Sequence, residues 1–231
     1  MKGTWYLNEQ LDFDRRLIEY RYRSIKNWFK GGNLLELGPA EGVMTRLLVK
    51  DFKSVVAVDG SQDLINEIPE IPNLKKICSY FENYEPNEKF DTIIMEHILE
   101  HVDDPVALLK RAKKWLSPEG VIIAGVPNGD SIHRLAAVEM GLLESKTQLN
   151  DRDHKLGHQR VYTMESFVYD IVSAGMDVKY KGGVFFKPLS NGQIEKNWTD
   201  EMMDAFYSLG KQFPDHCAEI FIVCQNVIET A

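Results

Sequence analysis

Residues 33–42 read NLLELGPAEG, and this stretch decides the fold. Its first half, Asn33 to Leu37, is an apolar run of strand length, and its second half contains two glycines. An amphipathic stretch from Glu41 to about Lys50 and a second apolar run, Ser54 to Val58, come next. This order predicts a β-α-β unit, because strands that alternate with helices usually pair in parallel.

The same alternation continues along the chain. Five more strands are predicted at Leu74–Cys78, Phe90–Met95, Val121–Val126, within Val178–Phe186 and at Ala218–Val227. Helices are predicted at Phe13–Phe29, after Ser61, at Pro105–Leu116, near Thr163–Ala174 and near Thr199–Gln212. Residues 117–120, SPEG, predict a turn into the strand that follows them. The pattern predicts an α/β domain with a mostly parallel sheet that is covered by helices on both faces.

The composition limits the class of protein. With 231 residues, 44% of them hydrophobic and 27% charged, the chain is expected to form one globular domain. A net charge of -8 argues against a nucleic-acid partner, because such proteins normally present a basic surface to phosphates. Neither export nor membrane insertion is expected, since no apolar window has the necessary length. Three cysteines without CxxC spacing indicate no disulfide framework and fit a reducing cytoplasm.

The glycine loop and the end of the second strand are candidate ligand contacts. Gly38 and Gly42 would let the backbone approach a ligand, although a turn that needs glycine gives the same pattern. Asp59 follows 17 residues after Gly42, where a carboxylate can accept both hydroxyl hydrogen bonds of a ribose. An isolated aspartate there is most often a helix cap, an option that it shares with Ser61. Together with the glycine loop, the ribose role is favoured.

The acid and the glycines of this loop also follow a family pattern. Glu36, Gly38 and Gly42 match the E/D-x-G-x-G-x-G loop of the class I S-adenosylmethionine-dependent methyltransferases, which the chain resembles. Ala40 stands where the family has its middle glycine, and Pro39 is unusual at its position. The resemblance implies that this loop contacts the methionine part of the cofactor.

A second stretch carries the resemblance more specifically. Residues 90–105 read FDTIIMEHILEHVDDP and resemble the signature of small-molecule methyltransferases, including those of ubiquinone and sugar methylation. The resemblance covers residues 33–127 well and the remainder only in strand order. It implies a Rossmann-like sheet of seven strands, in which the last strand runs antiparallel to the others.

The resemblance also implies a cofactor and the residues that hold it. S-adenosylmethionine is the expected cofactor, and S-adenosylhomocysteine is the expected product. Asp59 would bind the ribose, the residues after the third strand would border the adenine, and two residues would line the end of the fourth strand. The candidate cofactor-binding residues are Glu36, Gly38, Pro39, Gly42, Asp59, Gly60, Ser79, Tyr80, Phe81, Glu96 and His97.

Histidines are the candidate bases. Methyl transfer to a hydroxyl needs alignment, a dry cavity and a base, and histidine suits that role near neutral pH. Five of the six histidines fall between the fourth strand and the end of a polar insertion, residues 128–162. The candidate catalytic residues are His97, His133, His154 and His158. Histidine pairs four residues apart could bind zinc, but the pattern lacks a third ligand, so no metal is expected.

The insertion at residues 128–162 is predicted to be a helical lid that contacts the acceptor. Asn128, Arg134 and Arg160 are the candidate substrate-binding residues, and both arginines could pair with a phosphate or carboxylate. The lid and the downstream H-x-R-V-Y-T element resemble methyltransferases of bacterial surface-glycan and sugar-nucleotide pathways. This likeness implies a small polar acceptor with a hydroxyl or an amine, on a sugar or a sugar-linked group.

The predicted layout is one domain. Residues 1–32 would form an N-terminal helical cover, 33–127 the cofactor-binding core, 128–162 the lid and 163–231 the C-terminal half of the sheet. A homo-oligomer is compatible with the sequence. Two other functions also fit parts of the pattern, a cofactor-binding protein without turnover and a nicotinamide-dependent oxidoreductase. The latter lacks its expected G-x-G-x-x-G here.

Overall fold

A seven-stranded sheet forms the centre of the computed structural model, which describes residues 12–227. Its strands are β1 (Asn33–Leu37), β2 (Ser54–Asp59), β3 (Leu74–Cys78), β4 (Phe90–Glu96), β5 (Leu116–Pro127), β6 (Met176–Val184) and β7 (Glu219–Asn226). The strand order is β3-β2-β1-β4-β5-β7-β6, and β1 to β5 pair in parallel. β7 is antiparallel to both of its neighbours, β5 and β6. The predicted Rossmann-like class, with its antiparallel last strand, is confirmed.

Nine helices surround the sheet within the described residues. They are α1 (Phe13–Ile25), α2 (Thr45–Leu48), α3 (Gln62–Glu67), α4 (Pro105–Trp115), α5 (Ile132–Glu139), α6 (Asp151–Leu156), α7 (Met164–Ser173), α8 (Asn191–Asn197) and α9 (Asp200–Gly210). The first eleven residues of the predicted N-terminal cover lie outside the described range. None of the helices described between residues 12 and 227 is both long and apolar enough to span a bilayer.

Both faces of the sheet are covered by apolar side chains. Successive residues of a strand point to opposite faces, so Leu34 packs in one core cluster and Leu35 in the other. The cluster around Leu35 includes side chains of α4 and α7, and the cluster around Leu34 includes side chains of α1, α8 and α9. Burying a leucine contributes about 1.5 to 3 kcal/mol, and Leu34 and Leu35 are both fully buried. Their packing on the two faces therefore holds β1, and the glycine loop that follows it, in position.

Two predicted boundaries differ from the structure. The helix expected from Glu41 is a single turn, α2, because the chain first makes a turn in which the amide of Gly42 donates to the carbonyl of Pro39. Residues 117–120 belong to β5 rather than to a separate turn, yet the pairing with β4 shifts register across them. The residues that predicted a turn therefore form a bulge within β5.

The insertion after β5 forms two short helices, α5 and α6. Asn150 begins α6 with a capping box, and Gly157 ends it in the left-handed conformation with φ +79°. Arg152 of α6 pairs with Asp14 of α1 at 2.6 Å. The insertion is thereby fastened across the carboxyl ends of the central strands to the N-terminal helix.

Candidate active site

A cavity of about 380 Å³ lies at the carboxyl ends of β1, β4 and β5, under α1, α5 and α6. Polar ligands of open α/β sheets bind at this edge. Ten of the predicted site residues line the cavity: Glu36, Gly38, Pro39, Glu96, His97, Asn128, His133, Arg134, His158 and Arg160. The structure therefore brings residues of the glycine loop, the fourth strand and the insertion together around one space.

The glycine loop has the backbone that its sequence requires. Gly38 has φ +68° and Gly42 has φ +77°, a region that favours glycine. A Cβ atom at position 38 would clash with Cδ1 of Ile98, so only glycine fits without a shift. Ala40 also takes a positive φ, +47°, which explains why a small residue stands where the family has glycine.

Glu36 is a buried carboxyl group in the cavity wall. Its Oε2 accepts a hydrogen bond of 2.7 Å from the hydroxyl of Thr45. Burial raises the pKa of Glu36 to about 7, and Asp59 adds to that rise, while the Thr45 hydroxyl opposes it. A carboxyl group in this state can accept hydrogen bonds from a cationic ligand, which would lower its pKa and favour the charged form.

Asp59 and the predicted residues after β3 do not line the cavity. Asp59 accepts a hydrogen bond of 2.8 Å from the Ser61 amide, and burial raises the pKa of its carboxyl group. Ser61, rather than Asp59, caps α3 through its side chain. Tyr80 is 69% exposed and lies against Gly60. The other predicted cofactor-binding residues that do not line the cavity are Gly42, Ser79 and Phe81.

The cavity wall contains a buried cluster of ion pairs that the sequence did not predict. Arg21 of α1 is 8% exposed, and its Nε lies 2.8 Å from the carboxylate of Glu219, which is 5% exposed. The same guanidinium lies 3.2 Å from Glu96. Burial raises the pKa of Glu96 to about 7, although Arg21 and His97 oppose the rise. Its Oε1 is buried and has no hydrogen-bond partner among residues 12–227.

His97 belongs to this cluster and has a strained backbone. Its φ is +55°, which is uncommon for a residue with a Cβ atom. Nε2 lies 2.8 Å from Glu219 and Nδ1 lies 3.2 Å from Glu100. Burial and the charge of Arg21 lower the pKa of His97, but Glu219 and Glu100 outweigh both and raise it to about 9. The two carboxylates favour the protonated imidazole, and Nη2 of Arg21 also lies 2.8 Å from its Nε2. The catalytic role of His97 stays a prediction.

The three predicted bases of the insertion have different surroundings. His158 lines the cavity, and its Nδ1 lies 3.1 Å from the buried carboxylate of Asp153. His133 also lines the cavity, and burial, followed by the charges of Lys187 and Arg134, lowers its pKa to about 3. His154 is exposed on α6 and lies outside the cavity lining.

The polar groups of the predicted acceptor residues are bound to the protein itself. Arg134 donates to the carbonyl of Lys146 at 2.6 Å and pairs with Asp153 at 3.3 Å. Arg160 donates to the carbonyl of Leu99 at 2.6 Å, and Asn128 donates to two backbone carbonyls near the start of β7. These three side chains line the cavity and hold the insertion in place. Their role in binding an acceptor stays a prediction.

Glu100, His101 and His158 form a cluster that could hold a metal ion. One ligand atom from each lies within 4.8 Å of the others, and two histidines with a carboxylate suit a divalent transition metal. Glu100 is 1% exposed, and its carboxylate makes an ion pair with His97. The sequence pattern lacked a third ligand because His158 lies 57 residues after His101 and reaches it only through the folded insertion.

A family model described as a methyltransferase domain matches residues 8–178. A ubiquinone biosynthesis O-methyltransferase of Rhizobium etli is 24% identical over 190 residues, which cover 79% of this chain and 74% of that protein. Another, of Bradyrhizobium diazoefficiens, is 28% identical over 118 residues, which cover 49% of this chain and 46% of that protein. For this relative the matched region spans less than half of its length.

A solved structure supports the fold. The N-methyltransferase NodS from Bradyrhizobium japonicum WM9, in complex with S-adenosylhomocysteine, superimposes with a TM-score of 0.61 and 14% identity. The superposition covers 98% of this chain and 93% of NodS. Because the family model covers more than half of the chain, it decides between the three functions that the sequence left open. The chain belongs to the methyltransferase-domain family and is a class I S-adenosylmethionine-dependent methyltransferase.

Proposed function

We propose that this enzyme methylates a hydroxyl or an amine of a small polar acceptor, on a sugar or a sugar-linked group. The observation that carries the proposal is the single cavity, which joins the glycine loop of β1 to the polar insertion after β5. The cavity has an acidic wall on the sheet side and basic and histidine side chains on the insertion side. Such a cavity suits two polar ligands held side by side.

The residues on the sheet side fit S-adenosylmethionine. When bound, this cofactor supplies a methyl group on a positively charged sulfur. Gly38 lines the cavity, and Asp59 presents a carboxylate next to the same loop. The unpartnered Oε1 of Glu96 and the buried carboxyl of Glu36 offer acceptors to a cationic ligand. An orphaned buried acceptor of this kind is best explained by a ligand that satisfies it.

His158 is the side chain that we assign as the base for a hydroxyl acceptor. Asp153 accepts the Nδ1 proton of the imidazole at 3.1 Å, which orients the ring and leaves the Nε2 lone pair available. His97 is held as a cation by Glu219, and His154 lies outside the cavity. His133 lies in the cavity, but its low pKa makes it a weak base. His158 alone among the four thus combines position with an orienting carboxylate.

The names of the relatives support both chemistries of the acceptor. The Rhizobium etli relative is an O-methyltransferase and NodS is an N-methyltransferase. An amine acceptor would need to lose a proton and would use the same base. The sugar part of the proposal depends on the likeness of the insertion and its H-x-R-V-Y-T element. A cytoplasmic location is also proposed, since all three cysteines are free thiols.

The test combines cofactor binding with turnover. We expect calorimetry to detect S-adenosylhomocysteine binding, and labelled S-adenosylmethionine to pass its methyl group to a member of a panel of sugar phosphates, sugar acids and amino sugars. Replacing His158 by alanine should lower turnover by about 100-fold or more with little change in cofactor affinity. Replacing His154 by alanine is the matched control and should leave both unchanged. Equal turnover of the two variants would refute the assignment of His158.

A further inference from the structure

The cavity lining also includes polar groups from outside the glycine loop and the fourth strand. It is lined by Phe13 and Asp14 of α1, His133 of α5, Arg152 of α6, Asn191 of α8 and Lys187, which lies between β6 and α8. The predicted substrate-binding residues do not include Asp14, Lys187 or Asn191. These residues lie on elements that the family signature of residues 90–105 does not contain.

Lys187 differs from every arginine of the cavity wall. Arg134 and Arg160 donate to backbone carbonyls, Arg152 pairs with Asp14 at 2.6 Å, and Arg21 pairs with a carboxylate of β7. The ammonium of Lys187 makes no hydrogen bond or ion pair with any residue between 12 and 227, and it lies 5.0 Å from the ring centre of Phe13. Of the arginines and lysines that line the cavity, Lys187 is thus the one whose charged group has no hydrogen-bond acceptor among residues 12–227.

The acids near Lys187 are already engaged. Asp14 accepts from Arg152 and also from Nδ2 of Asn191 at 2.9 Å. Glu195 accepts from the amide of Phe13 at 3.0 Å. The half-buried ammonium of Lys187 is therefore partly desolvated, and none of these acids binds it. Burial and the charge of Arg152 accordingly lower the pKa of Lys187 to about 8.

Two polar atoms of other residues that line the same cavity as Lys187 are buried without a partner among the described residues, Nδ1 of His133 and Oδ1 of Asn191. Because the amide nitrogen of Asn191 donates to Asp14, its oxygen is left to accept. His133 is neutral at neutral pH and keeps one ring nitrogen as an acceptor. Acceptors of this kind are satisfied by ligand hydroxyl groups, and the ammonium is satisfied by an oxyanion.

We propose that Lys187, His133 and Asn191 form an acceptor subsite for a hydroxylated oxyanion, a sugar phosphate or a sugar acid. Lys187 binds the phosphate or carboxylate, and His133 and Asn191 accept hydrogen bonds from hydroxyl groups of the same molecule. The subsite rests on the proposed function, since it names the charge that the acceptor of that methyl transfer carries. It also gives His133 a binding role in place of a catalytic one.

The first experiment uses the unmodified protein saturated with S-adenosylhomocysteine. Acetic anhydride labels neutral amines, and peptide mass spectrometry gives the acetylation rate of Lys187 at pH 7.5. We expect inorganic phosphate, glucose 1-phosphate and glucuronate to slow the acetylation of Lys187, and glucose to leave it unchanged. Slowing by only the phosphate compounds, or only by glucuronate, identifies the oxyanion. An unchanged rate with all three anions would overturn the proposal.

The second experiment tests the charge by substitution. Lys187→Met should weaken binding of the protective anion by about tenfold or more, and Lys187→Arg should retain most of it. Lys155→Met removes an exposed lysine of α6 that does not line the cavity and serves as the control. If Lys187→Met binds the anion as tightly as the Lys155→Met control, the proposal fails.

Measuring cofactor binding distinguishes a failure of the acceptor subsite from a failure of the proposed function. S-adenosylhomocysteine affinity is measured by calorimetry on each variant before the anion is added, and each variant is checked by thermal unfolding. If the unmodified protein does not bind S-adenosylhomocysteine, that result contradicts the proposed function itself. Normal cofactor binding combined with anion affinity that does not depend on Lys187 would contradict only the subsite.

Discussion

Replacing Glu219 by glutamine removes one charge from the buried ion cluster while keeping the size of the side chain. Glu219 and Arg21 are 5% and 8% exposed, so neither charge is screened by much water. Breaking a buried ion pair by removing one partner costs about 3 to 5 kcal/mol, because the remaining charge is left uncompensated. Arg21 retains Glu96 at 3.2 Å, so we expect the lower end, a loss of about 3 kcal/mol in the free energy of unfolding.

The same substitution should change how stability depends on pH. Glu219 and Glu100 hold the pKa of His97 at about 9 in the folded state, against the opposing effects of burial and Arg21. A histidine with a raised pKa contributes stability that is fully present below its unfolded pKa, about 6.5, and is lost as pH rises through 9. Each pKa unit is worth about 1.4 kcal/mol, so this contribution is on the order of 3 kcal/mol.

Urea unfolding from pH 6 to pH 10 measures both effects. The unmodified protein should lose stability between about pH 6.5 and pH 9, and Glu219→Gln should start lower at pH 7 and lose less over that interval. Glu88→Gln, on an exposed loop, is the control for removal of a carboxylate. A loss below about 1 kcal/mol at pH 7, or an alkaline loss in Glu219→Gln equal to that of the unmodified protein, would refute the reasoning.

Two further substitutions test the cofactor side of the cavity. Asp59→Ala should weaken S-adenosylhomocysteine binding by about 1.5 to 3 kcal/mol, the value of hydrogen bonds to a charged group, and calorimetry that finds equal affinity in the folded variant would contradict the ribose role. Gly38→Ala should lose more stability in thermal unfolding than Gly141→Ala, because both have φ near +70° but only position 38 would place a Cβ atom against Ile98. Equal losses would mean that the backbone angle, rather than the close contact, decides the cost.

The sequence predicted the fold well because its strongest signals are local. Strands β1 and β2 are short, mostly apolar runs, and their ends are defined by Gly38 and Asp59. The antiparallel last strand came from the family resemblance rather than from the residues. The helix at α2 was predicted to be longer than it is, because helical periodicity from Glu41 onward cannot show that residues 39–42 form a turn.

The site was predicted in part, because some of its contacts join distant segments. Arg21 and Glu219 are 198 positions apart, and their pairing depends on β7 lying beside β5 with Pro127 opposite Glu219. In the sequence, Arg21 belongs to a basic cluster that is normally a solvated helix face, and Glu219 only begins an apolar strand. A charged residue at the start of a buried strand is the one signal that could have drawn attention to it.

The arrangement of charges follows from where rigidity is available. The acids that face the cofactor side belong to or adjoin strands of the sheet, as Glu36 of β1, Glu96 of β4 and Glu219 of β7 do. Strands buried on both faces cannot move to relieve repulsion among these acids, so Arg21 and a protonated His97 offset it. On the insertion side the arginines form hydrogen bonds with carbonyls and ion pairs with acids, and these bonds hold the short helices over the cavity. Lys187 has no such acceptor among residues 12–227, and in the proposed subsite the oxyanion of the methyl acceptor supplies it.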